Sequence, residues 1–326
     1  MKQKFGALWG ALAVSVCLWS ADSAVHVASA QTYPAKAIRL VMPFPGGGTA
    51  DAQVRPITDA MRQILGQPII FDPRPGAGGM IATRFAIEQS GDGYTLVLIT
   101  NSSAIRSALP NRPFDIRKDL AHVAQTIESP MGIAVNPAKV SVKSVEELVN
   151  LARANPGKLN FSSYGVGTIA HLIVEYLAQS KGVKITHVPY NGSAAELTAL
   201  LRGDSDAGVN ALQAYTAQSP KLKVLAITSA ERSELAPDIP GMRESGFDLD
   251  IPGWAAISAP AGTPPEVLNR LNAAVNQAIR EPIVRDQYAK LNVVGKGGSR
   301  EQITQKINRE VTIFENVIRT GHIEIE

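Results

Sequence analysis

The chain has 326 residues, 45% of them apolar and 19% charged, with 32 Lys and Arg against 29 Asp and Glu and a formal net charge of +3. That length suits one large or two medium domains, and so mild a charge excludes a nucleic-acid binder. The single cysteine is Cys17, near the start, so the rest of the chain forms no disulfide and relies on its core.

Residues 1–30 read as a removable signal peptide. Lys2 and Lys4 form a basic start, Phe5 to Trp19 an apolar stretch, and Ala28-Ser29-Ala30 a small-x-small cleavage site before Gln31. The apolar stretch falls short of the ~20 residues that a membrane span needs. The bulky Val16 before Cys17 argues against lipidation. Cleavage removes Lys2, Lys4 and Asp22 and takes the net charge from +3 to +2. The expected location is the periplasm.

After the leader, apolar runs predict strands at Ile38–Met42, Ile69–Phe71, Thr95–Ile99, Gly132–Val135, Ile185–Val188, Val224–Thr228 and Ala255–Ala259. Amphipathic helical patterns alternate with them, which predicts an α/β fold with mainly parallel sheets. Ile57, Ala60, Met61, Ile64 and Leu65 mark the first helix, where Pro56 should impose a kink. Ser144 with Glu147, Ser193 with Glu196, and Thr263 with Glu266 read as capping boxes, the last with proline at the first helical position. Val267, Leu268, Leu271, Ala274, Val275 and Ile279 form the buried stripe of that helix. Ser299 and Gln302 open the last helix, whose core face is Ile303, Ile307, Val311, Phe314 and Ile318. Ser129-Pro130 and the stretch Gly246 to Gly253 suggest domain crossings.

Five strand-to-helix turns carry glycines or hydroxyls: Pro45–Thr49, Arg74–Gly79, Asn101–Ser103, Tyr164–Thr168 and Asn191–Ser193. A helix start presents free N–H groups that suit an anion. Five such turns at corresponding strand ends point to a ligand crevice beyond the carboxyl ends of the strands. Gly165-Val166-Gly167-Thr168-Ile169-Ala170 fits a loose dinucleotide pattern, but no acid follows about 20 residues on to meet a ribose. H-E-x-x-H, G-x-S-x-G and G-x-x-x-x-G-K are absent. His122, His171, His187 and His322 lack metal-ligand spacing. His171 belongs to the first turn of a helix, in a capping or packing role or as a ligand contact. Trp254 is expected to pack. No cofactor, metal or catalytic residue is expected.

Seven ordered motifs resemble the extracytoplasmic receptors of tripartite tricarboxylate transport systems, the Bordetella uptake gene (Bug) family. They are Tyr33-Pro34-Ala35-Lys36 with Ile38-Arg39; Gly47-Gly48 with Asp51; Arg74 to Gly79; Asp92 to Leu96; Gly165, Gly167 and Thr168; His187 to Tyr190 with Gly192-Ser193; and Ala259 to Pro264. The resemblance implies a type II periplasmic binding fold of two α/β lobes. Lobe 1 is 31–128 plus 251–326, and lobe 2 is 129–250. It also implies a cleft in which backbone amides, hydroxyls and water hold a carboxylate. Carried over by position, the ligand-binding residues are Phe44, Gly46, Gly47, Gly48, Asp51, Gly78, Ser102, Ser163, Tyr164, Gly167, Thr168, His171, Tyr190, Ser193 and Asn210.

Three departures bear on the ligand. Gly46 stands where the family often has proline. Tyr164 replaces a small residue and hints at aromatic carboxylates. Asn210 stands where many members carry aspartate, so an α-ammonium would lack a charged partner. No basic residue falls in the turns at Gly46–Ala50, Ser163–Thr168 and Tyr190–Ser193, so backbone dipoles are expected to hold the carboxylate, and Arg74 to serve a surface ion pair.

The expected function is therefore a monomeric, non-enzymatic receptor. It captures a small organic carboxylate and delivers it to the large and small membrane subunits of a tripartite transporter. Ligand presentation to a sensor kinase is the rival output, and a hydrolase or lyase in the same cleft the rival chemistry.

Overall fold

The computed structural model describes residues 33–44, 46 and 49–325, with Thr49 and Ala50 in backbone only. The signal peptide, Cys17, Gly47 and Gly48 lie outside the described residues. The first half of the chain forms β1 (Ile38–Met42), α1 (Thr49–Leu65), β2 (Ile69–Pro73), a 3-10 turn (Ala77–Gly79), α2 (Met80–Ile87), β3 (Thr95–Thr100), α3 (Asn101–Ser107), α4 (Ile116–Asp119), β4 (Leu120–Ser129), β5 (Met131–Val135) and α5 (Val145–Ala154). There follow β6 (Asn160–Ser163), α6 (Ile169–Lys181), β7 (Thr186–Pro189), α7 (Ser193–Arg202), β8 (Ala207–Ala211), α8 (Leu212–Thr216), β9 (Lys223–Ile227), β10 (Gly253–Pro260), α9 (Pro265–Arg280), α10 (Pro282–Lys290), β11 (Val294–Gly297) and α11 (Arg300–Gly321).

These elements build two α/β lobes, each around one sheet. The first sheet has the order β11-β4-β10-β3-β1-β2, the second β7-β6-β8-β5-β9. Both are mixed, where mainly parallel sheets were expected. β1 pairs parallel with β2 and β3, and β6 with β7 and β8. The antiparallel pairs come from the strands that carry the chain between lobes. β4 runs out of the first sheet beside the returning β10, with Ser129 opposite Gly253. In the second sheet β5 lies antiparallel to β8 and β9.

Two large buried clusters fill the lobes, with a small third one at Ala134, Leu200, Tyr215 and Leu222. Ile38, Leu40, Ile57, Met61 and Leu271 centre one of the large clusters, under α1 and α9. The other joins Val97 and Ile99 of the first lobe, Phe314 of α11, and Ile133 and Phe161 of the second. The last helix therefore belongs to the packing of both lobes. Its stripe Ile303, Ile307, Val311, Phe314 and Ile318 is buried, and Gln179 of α6 donates to the Val317 carbonyl at 3.1 Å.

The caps divide the three expected boxes. Ser144 accepts from Glu147 N, but the Glu147 carboxylate reaches Lys143 N instead of the cap's own N–H. Ser193 is the first helical residue after Gly192, and its hydroxyl turns inward to Asn210. Pro264 takes the cap position of α9, Thr263 donates to Pro260 O, and Pro265 is the first helical residue. Ser299 and Gln302 do form a reciprocal box, at 3.2 and 2.7 Å, worth about 1 kcal/mol. α1 continues through Pro56 as one helix. The carbonyl that Pro56 leaves without a donor belongs to Ala52, which is exposed.

Candidate functional site

A cavity of about 890 Å³ opens where both sheets end. Its walls come from the carboxyl ends of β1, β3, β6 and β8 and from the crossing strands at Ile127, Ser129, Met131 and Gly253–Ala255. Ligands in open α/β sheets bind at such strand ends. The starts of α3, α6, α7 and α8 reach the same space through Ser102, Ile169, Ser193 and Gln213, and α1 adds Gln53 and Val54 from its second turn. Among the described residues, none that lines the cavity carries a charge. Its polar surface is Gln53, Thr100, Asn101, Ser102, Ser129, Tyr164, Ser193, Asn210 and Gln213, beside the apolar Phe44, Leu98, Ile127, Met131, Ile169 and Trp254.

Of the residues expected at the site, Phe44, Gly46, Ser102, Tyr164, Ser193 and Asn210 line this cavity. The other described residues of that set stand elsewhere. Asp51 is buried and paired with Arg55 at 2.8 Å. Gly78 takes φ 62° in the turn before α2, where an added Cβ would lie 3.2 Å from Arg106 Nε. Gly167 packs under Ile325 and donates its N–H to His171 Nδ1 at 3.1 Å. Thr168 caps α6: its hydroxyl accepts from His171 N and donates to Gly165 O at 2.7 Å. The Tyr190 N–H bonds to Ser163 O at 2.8 Å. Arg74 pairs with Asp72 at 3.0 Å and lies 3.4 Å over the Phe85 ring, outside the cavity wall.

Beneath the second-lobe turn, Ser163 Oγ lies 2.7 Å from His187 Nε2, and His187 stacks on His171 at 3.9 Å. Burial, and next the His171 ring, push His187 down to about 4. The Ser163 hydroxyl also bonds with the Gly165 backbone on both sides, is wholly buried and does not line the cavity. The serine–histidine contact thus braces the turn and faces no ligand space. Among the described residues, no group of three or more His, Cys, Asp or Glu could hold a metal ion.

Two buried carboxylates back the neutral walls, and both escaped the sequence reading. Behind the second-lobe wall is Glu196, 0% exposed. It accepts from Ser162 Oγ at 2.8 Å, Tyr215 Oη at 2.8 Å and Asn210 Nδ2 at 2.6 Å. Burial raises its pKa, and the three donors oppose the rise. Its carboxylate occupies the space over Gly208, where a Cβ would lie 2.2 Å from Oε1. Behind the first-lobe wall is Glu310 of α11, 1% exposed. Its Oε2 accepts from Trp254 Nε1 at 2.7 Å and Asn101 Nδ2 at 3.1 Å. Lys306 stands 3.4 Å from Oε1, and burial still pushes Glu310 up to about 7. Trp254 is therefore both packed and part of the cavity wall. Tyr164 likewise lines the cavity, and burial, its largest influence, raises its pKa.

Residues 53–322 match the model of the tripartite tricarboxylate transporter family receptor, TctC. Protein BugT of Bordetella pertussis is 32% identical over 297 residues, covering 89% of this chain and 91% of its own. A TctC solute-binding protein from Polaromonas, solved with no ligand, is 27% identical with a TM-score of 0.81, covering 89% of this chain and 100% of that one. MatC from Rhodopseudomonas palustris, solved with bound malate, is 27% identical with a TM-score of 0.70, over 88% and 100%. Among the described residues no helix is long and apolar enough to cross a membrane. With the family model matched over most of the chain, and two lobes enclosing a cavity at their strand ends, the chain belongs to the tripartite tricarboxylate transporter receptor family.

Proposed function

We propose that the chain is a periplasmic receptor that binds a small organic carboxylate between its lobes and delivers it to the membrane subunits of a tripartite transporter. Lobe 1 is 31–128 plus 251–326, and lobe 2 is 129–250. The observation that carries the reading is a cavity with no charged lining residue among those described, on which four helix starts converge. Each helix start favours an anion by about 0.3–1 kcal/mol, rising to about 2 when partly buried. Two or three of them, with charge-assisted hydrogen bonds, support micromolar capture without a paired cation. Fixed dipoles need little reorganisation, so the ligand leaves readily for the permease. Tyr164 and Trp254 offer apolar surface to the ligand body, aliphatic or aromatic. The malate bound by MatC is a carboxylate of this class.

A thermal-shift screen against mono- and dicarboxylates tests the reading. A ligand at a hundred times its Kd adds about 2.7 kcal/mol, so at least one carboxylate should raise Tm by several degrees. If the whole panel leaves Tm unmoved, the carboxylate reading is wrong.

A further inference from the structure

The second-lobe wall has a fixed hydrogen-bond polarity. Asn210 spends its whole side chain inside the lobe. Its Nδ2 donates to Glu196 Oε2 at 2.6 Å and to Ser193 O at 3.0 Å. Its Oδ1 accepts from Ala211 N at 2.8 Å and from Ser193 Oγ at 2.6 Å. The Ala211 N–H and the Ser193 carbonyl each allow one orientation of the amide only, and both demand the same one. The buried Glu196 carboxylate reinforces it, because a negative charge draws the amide N–H groups towards itself. Oδ1 must then face Ser193, and the Ser193 hydroxyl must point its proton inward. What Ser193 turns towards the cavity is an oxygen with free lone pairs and no proton to give. Ser193 is exposed and lines the cavity.

The backbone beside that oxygen has the opposite character. Glu196 N makes the first intrahelical bond of α7, to Gly192 O at 3.2 Å, so the amides of Ser193, Ala194 and Ala195 precede the helix ladder as donors, and Ser193 is the one of the three residues that lines the cavity. Acceptor and donors therefore sit side by side. A carboxylate alone satisfies the amides and leaves Ser193 Oγ unmatched. An oxo group next to the carboxylate sets two acceptors against each other.

We propose that Ser193, held by Asn210 and Glu196, selects 2-hydroxy carboxylates: the ligand carboxylate takes the α7 amides and its neighbouring hydroxyl donates to Ser193 Oγ. This deepens the carboxylate reading above and rests on it.

Calorimetry with 2-hydroxyglutarate, glutarate and 2-oxoglutarate, and with malate and succinate, tests the polarity. The hydroxy acid of each set should bind about three- to tenfold more tightly than its deoxy partner, the gain of one net hydrogen bond, and more tightly than the oxo acid. Ser193→Ala should bring the hydroxy-to-deoxy ratio to about one. Ser193→Thr, which keeps the hydroxyl, should restore it. An oxo acid bound as well as the hydroxy acid, or a ratio that survives Ser193→Ala, overturns the proposal. Failure of all five acids to bind overturns it too, and the wider thermal-shift panel then tells whether the carboxylate reading falls with it.

Discussion

The two walls of the cavity solve one problem in different ways. Each presents neutral groups to the ligand space and hides a glutamate one residue behind. Glu310 has a cation, Lys306 at 3.4 Å, and only two side-chain donors, both on one oxygen. Glu196 has three donors spread over both oxygens; no ion pair involves it among the described residues. Burial raises both pKa values; three donors oppose the rise at Glu196, and at Glu310, pushed up to about 7, Lys306 opposes it first. The comparison teaches two ways to oppose the burial of a carboxylate: hydrogen bonds from rigid neighbours on both oxygens, or a nearby cation with donors on one oxygen only. Glu310 Oε1 is the atom without a hydrogen bond. The first-lobe wall is thus wired to a group that titrates near neutrality, and the second to a group set in a closed network.

The sharpest way to separate the walls is pH. Glu310 titrates near 7 when folded, against an ordinary 4.5. Between those values the native chain holds a proton that the unfolded chain has lost, so stability falls as pH rises through this window and is level above it. Glu310→Gln stays neutral and escapes the loss. Its stability relative to wild type should improve by up to about 3 kcal/mol between pH 4.5 and 7.5, as read by urea denaturation. Taking the difference between the two proteins cancels the opposite trend from His122 and His187, both pushed down to about 4 by burial. A difference that does not vary with pH would show that Glu310 has the same pKa folded as unfolded, and the contrast between the walls would fall.

Crowding the second wall should have a somewhat smaller effect. Gly208→Ala places a methyl group 2.2 Å from Glu196 Oε1, 2.6 Å from Ser162 Oγ and 2.7 Å from Tyr215 Oη. Overpacking of this kind costs about 1–3 kcal/mol, and here it also opens the network that orients Asn210. Urea denaturation should show the loss, and the preference for hydroxy acids should shrink with it. A variant as stable as wild type would mean that the Glu196 cradle yields easily and the network is not closed.

How far these walls were legible from the sequence depends on which signal carried each part. The family resemblance supplied Phe44 and Asn210 by position; turn chemistry pointed to Gly46, Ser102, Tyr164 and Ser193, because glycines and hydroxyls at helix starts stand out locally. It also nominated Gly167, Thr168 and His171, which serve the α6 cap instead, since capping and ligand binding call for the same residues. Trp254, Gln213 and Met131 were missed as lining residues, because they reach the cavity through strand order and not through their neighbours in sequence. β4, β6, β8 and β11 were also missed. β6 reads Asn-Phe-Ser-Ser and β8 Ala-Gly-Val-Asn-Ala, and their polar residues and glycine disguise a strand. Those same residues, Ser162, Gly208 and Asn210, build the Glu196 network. One available signal was overlooked. Glu196 precedes Ala199 and Leu200 on the buried face of α7, and Glu310 interrupts the stripe of Ile303, Ile307 and Phe314. An acid on the apolar face of a helix is buried with partners or not at all.

The account rests on an anion held without a cation. The most direct measurement is a crystal structure of the chain with a bound dicarboxylate or 2-hydroxy acid. It should show carboxylate oxygens within hydrogen-bond distance of backbone amides at the helix starts that meet the cavity, with no Lys or Arg nitrogen within about 4 Å, the reach of an ion pair. A carboxylate paired with a lysine or arginine side chain, or bound away from the Ser193 and Ser102 walls, would contradict it.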